Sequence, residues 1–177
     1  MNRRILLGFL ALASLPGSDV QWVLASSSVT YHVSHTLHES EGTSHMARGK
    51  GVCHSGQCDF LIAVPVKSFE SGDSNKDLHM MQVTHGAQFP LVSVRVSLPE
   101  AALALASIRC DVEVEFAGQT AKYKDLTFQA ATKGNATRIT GSIPAKLADF
   151  KIEPPSLLSI PVKNDMPVRV DMTWRLM

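Results

Sequence analysis

Charge of one sign is what this chain lacks most plainly. Seventeen Lys and Arg stand against 16 Asp and Glu, a formal net charge of +1, and no basic run is present. A nucleic-acid or anionic-membrane binder would carry a basic footprint, so neither partner is expected. Low-complexity segments and internal repeats are also missing, which argues against linkers and solenoids. There is no Cys-x-x-Cys pair and no other local zinc spacing, so no metal and no cofactor are expected. No Gly-x-Ser-x-Gly turn is present to carry a nucleophile, so the chain does not read as an enzyme. Aromatics are sparse, at 6 %, and small residues are many, a balance compatible with either a filled or an open interior.

Long apolar runs are scarce as well, with one exception at the N-terminus. A short basic stretch, Asn2-Arg3-Arg4, precedes an apolar run from Ile5 to Leu15, followed by small residues to Ser18. The run is too short to span a bilayer and has the layout of a secretory signal. The chain therefore divides into an expected signal peptide, 1–18, and an exported domain, 19–177, periplasmic or secreted. No Cys follows the apolar run to carry a lipid anchor, and no second stretch is long enough for an integral membrane segment. With 45 % hydrophobic residues, the remainder suits one domain with a sizeable core.

What is abundant is alternation with period two, the mark of half-buried strands. Val29, Tyr31, Val33 and His35 share one face, and Thr30, His32, Ser34 and His38 the other. The same rhythm runs through Phe60–Val66, Val92–Leu98, Ile108–Phe116, Leu126–Phe128 and Val168–Leu176. Turn residues separate these runs, at Gly49-Lys50-Gly51, Gly56, Gly72, Gly118 and Gly134-Asn135. Many short strands with turn signals predict an all-β sandwich or barrel. Helix is expected only at Asn75–Met81, with Ser74 as a cap, and at Glu100–Ala106 behind Pro99; a short turn is expected near Pro154–Leu158. Cys53 and Cys58 flank the turn-like His54-Ser55-Gly56-Gln57. If they face each other across it, a disulfide closes a hairpin, which an oxidising compartment permits. Two free thiols or half of a metal site are the alternatives. Cys110, between Ile108 and Val112 on its face, reads as a small buried hydrophobe.

One stretch gathers several of these features: Lys76-Asp77-Leu78-His79, then Phe89-Pro90, then an alternating strand. This order resembles the segment by which YceI-like proteins are recognised. The likeness extends to Trp22-Val23-Leu24, to Ser28–His35, to the Gly42, Gly49 and Gly51 region, and to Leu147-Ala148-Asp149-Phe150. It departs at Lys76, where Arg is common, and at the Cys53/Cys58 hairpin. The resemblance implies an antiparallel lipocalin-like β-barrel that binds a polyisoprenoid, an isoprenoid quinone or another long-chain lipid, with a homodimer compatible with the chain. A packed-core structural, interaction or stress-related protein with no lipid ligand is the alternative.

On that reading the inward faces supply the lumen: Tyr31, Val33, His35, Phe60, Ile62, Val94, Val112, Phe128 and Trp174. Asp77 and His79 are rim candidates. The plainer role for Asp77 is to bond the short helix to the barrel, and for His35 to be a core histidine satisfied by a carbonyl. The seven His do not form a chelating pattern: His32 and His38 are about 20 Å apart along an extended strand.

Overall fold

The computed structural model describes residues 19–34, 39–153, 156–157, 160–161 and 163–177. The expected signal peptide, the turn at Pro154–Pro155, and His35 and His38 lie outside these residues. The described strands are β1 (Val20–Ser34), β2 (Glu39–Ser44), β3 (Arg48–His54), β4 (Gln57–Pro65), β5 (Leu91–Pro99), β6 (Ser107–Phe116), β7 (Gln119–Lys133), β8 (Ala136–Ile143), β9 (Ser156–Leu157), β10 (Ile160–Pro161) and β11 (Val168–Leu176), with one helix, α1 (Ser74–Val83). Neighbours in space run β11-β8-β7-β6-β5-β4-β3-β1, and β11 pairs back onto β1, so eight antiparallel staves close a barrel. Closure removes the two free edge strands an open sheet would have, although β2 pairs only with β1 apart from the Thr43–Glu70 bridge. Strands β9 and β10 form a separate two-residue ladder.

Strands β2 and β3 share one edge of β1 in a single register: Val29 faces Ser44, and Val23 faces Lys50. They are one strand broken at His45–Ala47. In the break, the His45 Nδ1–H donates to the Ser27 carbonyl at 2.9 Å, so His45 takes the place of a ladder bond.

Two bulges re-aim the alternation. In β1 the register with β11 slips between Leu24 and Ser26, which keeps Leu24 and Val29 on the inner face although they are five residues apart. In β7, Cys110 faces Leu126 but Val112 faces Tyr123, so Lys124 and Asp125 together oppose Asp111. Asp125 has a φ of 54°, and its N–H donates to Asp111 Oδ1 at 3.0 Å. The left-handed conformation and the side-chain acceptor are the features of a bulge. Strand β7 thus starts at Gln119, seven residues before the Leu126 at which its alternation becomes readable.

One end of the barrel is built of short connections. Ser55 and Gly56, with φ of 52° and 81°, make the two-residue turn between β3 and β4, the combination that matches strand twist. Gly134-Asn135 links β7 to β8. Behind the first turn Cys53 and Cys58 face each other and are bonded, as expected. The expected helix after Pro99 is a 3-10 turn, Glu100–Ala104. The other end carries two excursions, 66–90 with α1 and 144–167 with a 3-10 turn at Leu147–Phe150. The first is tied down where the Thr43 and Glu70 backbones exchange hydrogen bonds of 2.9 and 3.0 Å. The second is tied where the Met166 N–H donates to the Ala145 carbonyl at 2.8 Å.

Candidate functional site, the barrel lumen

Inward side chains from every stave except β3 enclose a cavity of about 430 Å³. That lies within the roughly 300–1,000 Å³ of small-molecule sites. Its walls are apolar: Val29 and Val33 on β1, Ile62 and Val64 on β4, Val92–Leu98 on β5, Ile108–Phe116 on β6, Ile139 and Ile143 on β8, Val168–Trp174 on β11. Of the residues expected to face the lumen, Tyr31, Val33, Phe60, Ile62, Val94, Val112, Phe128 and Trp174 all line the cavity.

Polar groups inside are few: two hydroxyls are engaged, while the buried Trp22 Nε1 has no hydrogen-bond partner among the described residues. The Thr137 hydroxyl shares a hydrogen bond of 3.0 Å with Thr132 Oγ1, and the Thr84 hydroxyl donates to the Met80 carbonyl at 2.8 Å. Burial pushes the Cys110 thiol pKa up and neighbouring Asp111 adds to this, which disfavours the nucleophilic thiolate. Burial also raises the Tyr31 phenol, with Asp77 contributing. A lumen of this kind grips by contact and exclusion of water rather than by hydrogen bonds.

Strand β3 lines nothing because its inward positions, apart from the disulfide, are glycines. Phe60 of β4 lies over Gly51, and Trp174 lies over Gly49. Phe60 and Trp174 meet edge to face, centroids 5.1 Å apart at 78°. Phe128 lies over Gly141 of β8, and Tyr31 over Gly42 of β2. Trp22 and Leu103 complete the lining at the short-turn end.

At the opposite end the cavity reaches solvent. Lys76 and His79 of α1 and Glu39 at the start of β2 are all exposed and all border the cavity. Ser40 stands beside them, half-buried. Helix α1 is placed by local hydrogen bonds. Its cap is Asp73, not Ser74: the Asp73 carboxylate accepts from the Asn75 N–H at 2.9 Å and the Lys76 N–H at 3.4 Å. A carboxylate also complements the positive end of the helix dipole, which is why it does the capping here. Asp77 does not border the cavity. Its Oδ1 accepts from the Ser71 N–H at 2.9 Å and the Ser71 hydroxyl at 2.6 Å, holding the preceding loop against the helix. No residue of α1 is fully buried, but half-buried Met80 and Val83 line the cavity and pack against the core, so one face of the helix sits in the mouth.

Sequence reasoning missed two floor residues, Trp22 and Leu103, and part of the mouth. The bulge after Leu24 hides Trp22 from the alternation that follows, and Leu103 sits in an Ala-rich segment with no period-two signal. Glu39, Ser40 and Lys76 are brought together only by the closure of the barrel. His32 lies on the outer face, with Nδ1 3.2 Å from Glu41 Oε1 and Nε2 3.0 Å from Ser34 Oγ. His54 pairs with Asp19 at 2.7 Å. Among the described residues, no three His, Cys, Asp or Glu side chains gather as a metal site would require.

No protein family matches the chain by sequence, and no curated protein matches it either. Solved structures do. A polyisoprenoid-binding domain from Saccharophagus degradans, implicated in plant cell wall breakdown, is similar at a TM-score of 0.72 with 15 % identity, covering 88 % of this chain and 98 % of that one. BcnA of Burkholderia cenocepacia is similar at 0.69 with 14 % identity, covering 83 % and 95 %. A Campylobacter jejuni YceI protein covers 98 % and 97 % at 12 % identity, with a TM-score of 0.49 that carries no weight. The fold is therefore the lipocalin-like barrel that the resemblance to YceI-like proteins implied.

Proposed function

We propose that this protein is an exported barrel that takes the tail of a long-chain amphiphile, a polyisoprenoid or an isoprenoid quinone, into its lumen. The observation that carries the reading is the apolar cavity of about 430 Å³ with a polar mouth at one end. Tail burial is favourable by ~25 cal/mol per Å² of apolar surface removed from water, before the cost of immobilising the ligand. The Thr84 and Thr137 hydroxyls are engaged within the protein and ask nothing of the tail, and the buried Trp22 N–H is the exception at the floor. Lys76, His79, Glu39 and Ser40 meet the head group at the mouth. The described residues contain no helix long and apolar enough to cross a membrane, and the Cys53–Cys58 bond fits an oxidising compartment. The fold shared with a polyisoprenoid-binding domain is in keeping with the same reading. It supports a binding protein rather than an enzyme.

Native mass spectrometry of protein purified from its own host tests this. A lipid adduct that survives gentle desolvation and is released by organic solvent is the expected result. Bare protein, together with no uptake of a fluorescent isoprenoid, would favour the ligand-free structural role. N-terminal sequencing of the exported protein tests the export step, and an intact Met1 on it would refute the signal peptide.

A further inference from the structure

The lumen wall has a feature that volume alone does not explain: four aromatic rings each lie over a glycine, three of them on the adjacent strand and Trp174 across β1 on β3. A Cβ added at Gly51 would stand 2.3 Å from Phe60 Cε1, and one at Gly49 2.6 Å from Trp174 Cη2. At Gly141 the corresponding atom would be 2.4 Å from Phe128 Cδ1, and at Gly42 2.4 Å from Tyr31 Cε1. These glycines have φ outside the left-handed region, so their backbone does not require glycine. What requires it is the ring above. An alanine would make each ring leave the wall, and the sheet behind leaves it only the lumen to enter.

The pairs are spread along the cavity. Tyr31 is near the mouth, while Phe60 and Trp174, in mutual contact, are at the floor beside Trp22. From Trp22 to Val33 strand β1 runs about 36 Å at ~3.3 Å per residue, or roughly 27 Å along the axis of a barrel whose strands tilt by ~40°. The lumen is thus long and slender, and its far end is where Phe60 and Trp174 come close against Gly51 and Gly49.

We propose that Gly49 and Gly51 set the length of chain the lumen accepts, by parking Trp174 and Phe60 against the floor wall, and that Gly42 sets the bore at the mouth by parking Tyr31. The inference rests on the lumen being a chain-binding site and names its length determinants. An intact floor then selects an extended chain over a compact ring system.

The test is uptake of isoprenoid alcohols lengthened one unit at a time, read by native mass spectrometry as the length at which occupancy falls. Gly51→Ala should move that cut-off to shorter chains and Phe60→Leu to longer ones. The double variant Gly51→Ala/Phe60→Leu should return it toward wild type. Gly42→Ala should weaken uptake of every length without moving the cut-off. If Gly51→Ala fails to fold, Phe60→Leu carries the test alone. An unchanged cut-off in folded Gly51→Ala, or in Phe60→Leu, overturns the proposal while leaving chain binding intact. Wild-type protein that takes up no alcohol of any length overturns the lumen reading itself, and the length determinants with it.

Discussion

The two ends of the barrel are built on different principles. At the floor, adjacent strands are joined by two-residue turns, a disulfide bonds Cys53 to Cys58, and a 3-10 turn closes the one longer link. At the mouth, the excursion 66–90 and the described residues of 144–167 are held by contacts between residues far apart in sequence. The mouth itself is uneven. The 144–167 side is packed: Leu147, Phe150, Ile152 and Met166 are buried in one cluster with Val112 and Phe128. The α1 side buries no helix residue fully, and Met80 and Val83 are half-buried. A disulfide-closed floor, a packed half-rim and a half-buried helix beside exposed Lys76 and His79 suit the proposed admission of a ligand. Parts that must move to admit a chain come from the least stable segments.

That contrast can be broken first on its packed side. Phe150 is 2 % exposed and meets Phe116 edge to face at 5.3 Å. Phe150→Ala should cost about 3–5 kcal/mol, the range for truncating a buried aromatic, read as a lowered urea midpoint. Leu78, on α1, is 60 % exposed, and Leu78→Ala should change stability by less than about 0.5 kcal/mol. Equal losses from the two would remove the asymmetry of the rim.

The floor is next. Replacing both Cys53 and Cys58 by Ser should cost about 2 kcal/mol, because the closed loop is short. Below its lowered melting temperature the variant should keep the wild-type chain-length profile. Thiol counting on denatured, unreduced wild type should find one free thiol, Cys110. Three free thiols would show that the floor holds together without the bond.

A smaller effect is expected where the packed rim meets the wall. The Tyr123 hydroxyl donates to Asp149 Oδ2 at 2.8 Å. Burial, then this bond and the charge of Asp149, hold the phenol pKa well above its usual value near 10. A pKa raised by folding contributes stability that is present below the unfolded value and is lost as pH rises through the folded one. Wild-type stability should therefore fall as pH climbs above about 10. Tyr123→Phe should lose about 1 kcal/mol at neutral pH and show less of the alkaline decline. A decline of equal size in the variant would assign it to other groups.

The smallest effect is on the outer wall. Arg95 is exposed and pairs with Glu113 at 3.3 Å. Arg95→Ala should shift the urea midpoint by less than about 0.5 kcal/mol. A large loss would mean that the inner and outer faces of β5 had been exchanged.

The same two ends explain what could be read from the sequence. Floor and walls depend on neighbours in the chain. Ser55-Gly56, the two flanking Cys and the Val92–Leu98 alternation state their own geometry, and the lining residues followed from it. Alternation failed where a bulge shifted its parity. Trp22 precedes one, and Gln119–Tyr123 precede another, whose signal is an Asp in left-handed conformation rather than any apolar pattern. The mouth depends on closure. Nothing local in Glu39, Ser40 or Lys76 places them around one opening, and Asp73 displaced Ser74 as the helix cap by offering a charge. Gly49 and Gly51 of β3 read as turn residues, and Gly141 of β8 gave no signal of its own. Their role under the aromatic rings needed the register of the neighbouring strands.

The central claim is that the lumen is open to a hydrocarbon chain down to its floor. The chain has two tryptophans, Trp22 and Trp174, and both line the cavity. Their emission therefore reports on the lumen directly. Titration with an isoprenoid quinone should quench it saturably, and Val94→Asp, which puts a charge into the apolar wall, should abolish the response in folded protein. Emission that stays unchanged in wild type at every quinone concentration, or quenching that persists unaltered in folded Val94→Asp, would contradict it.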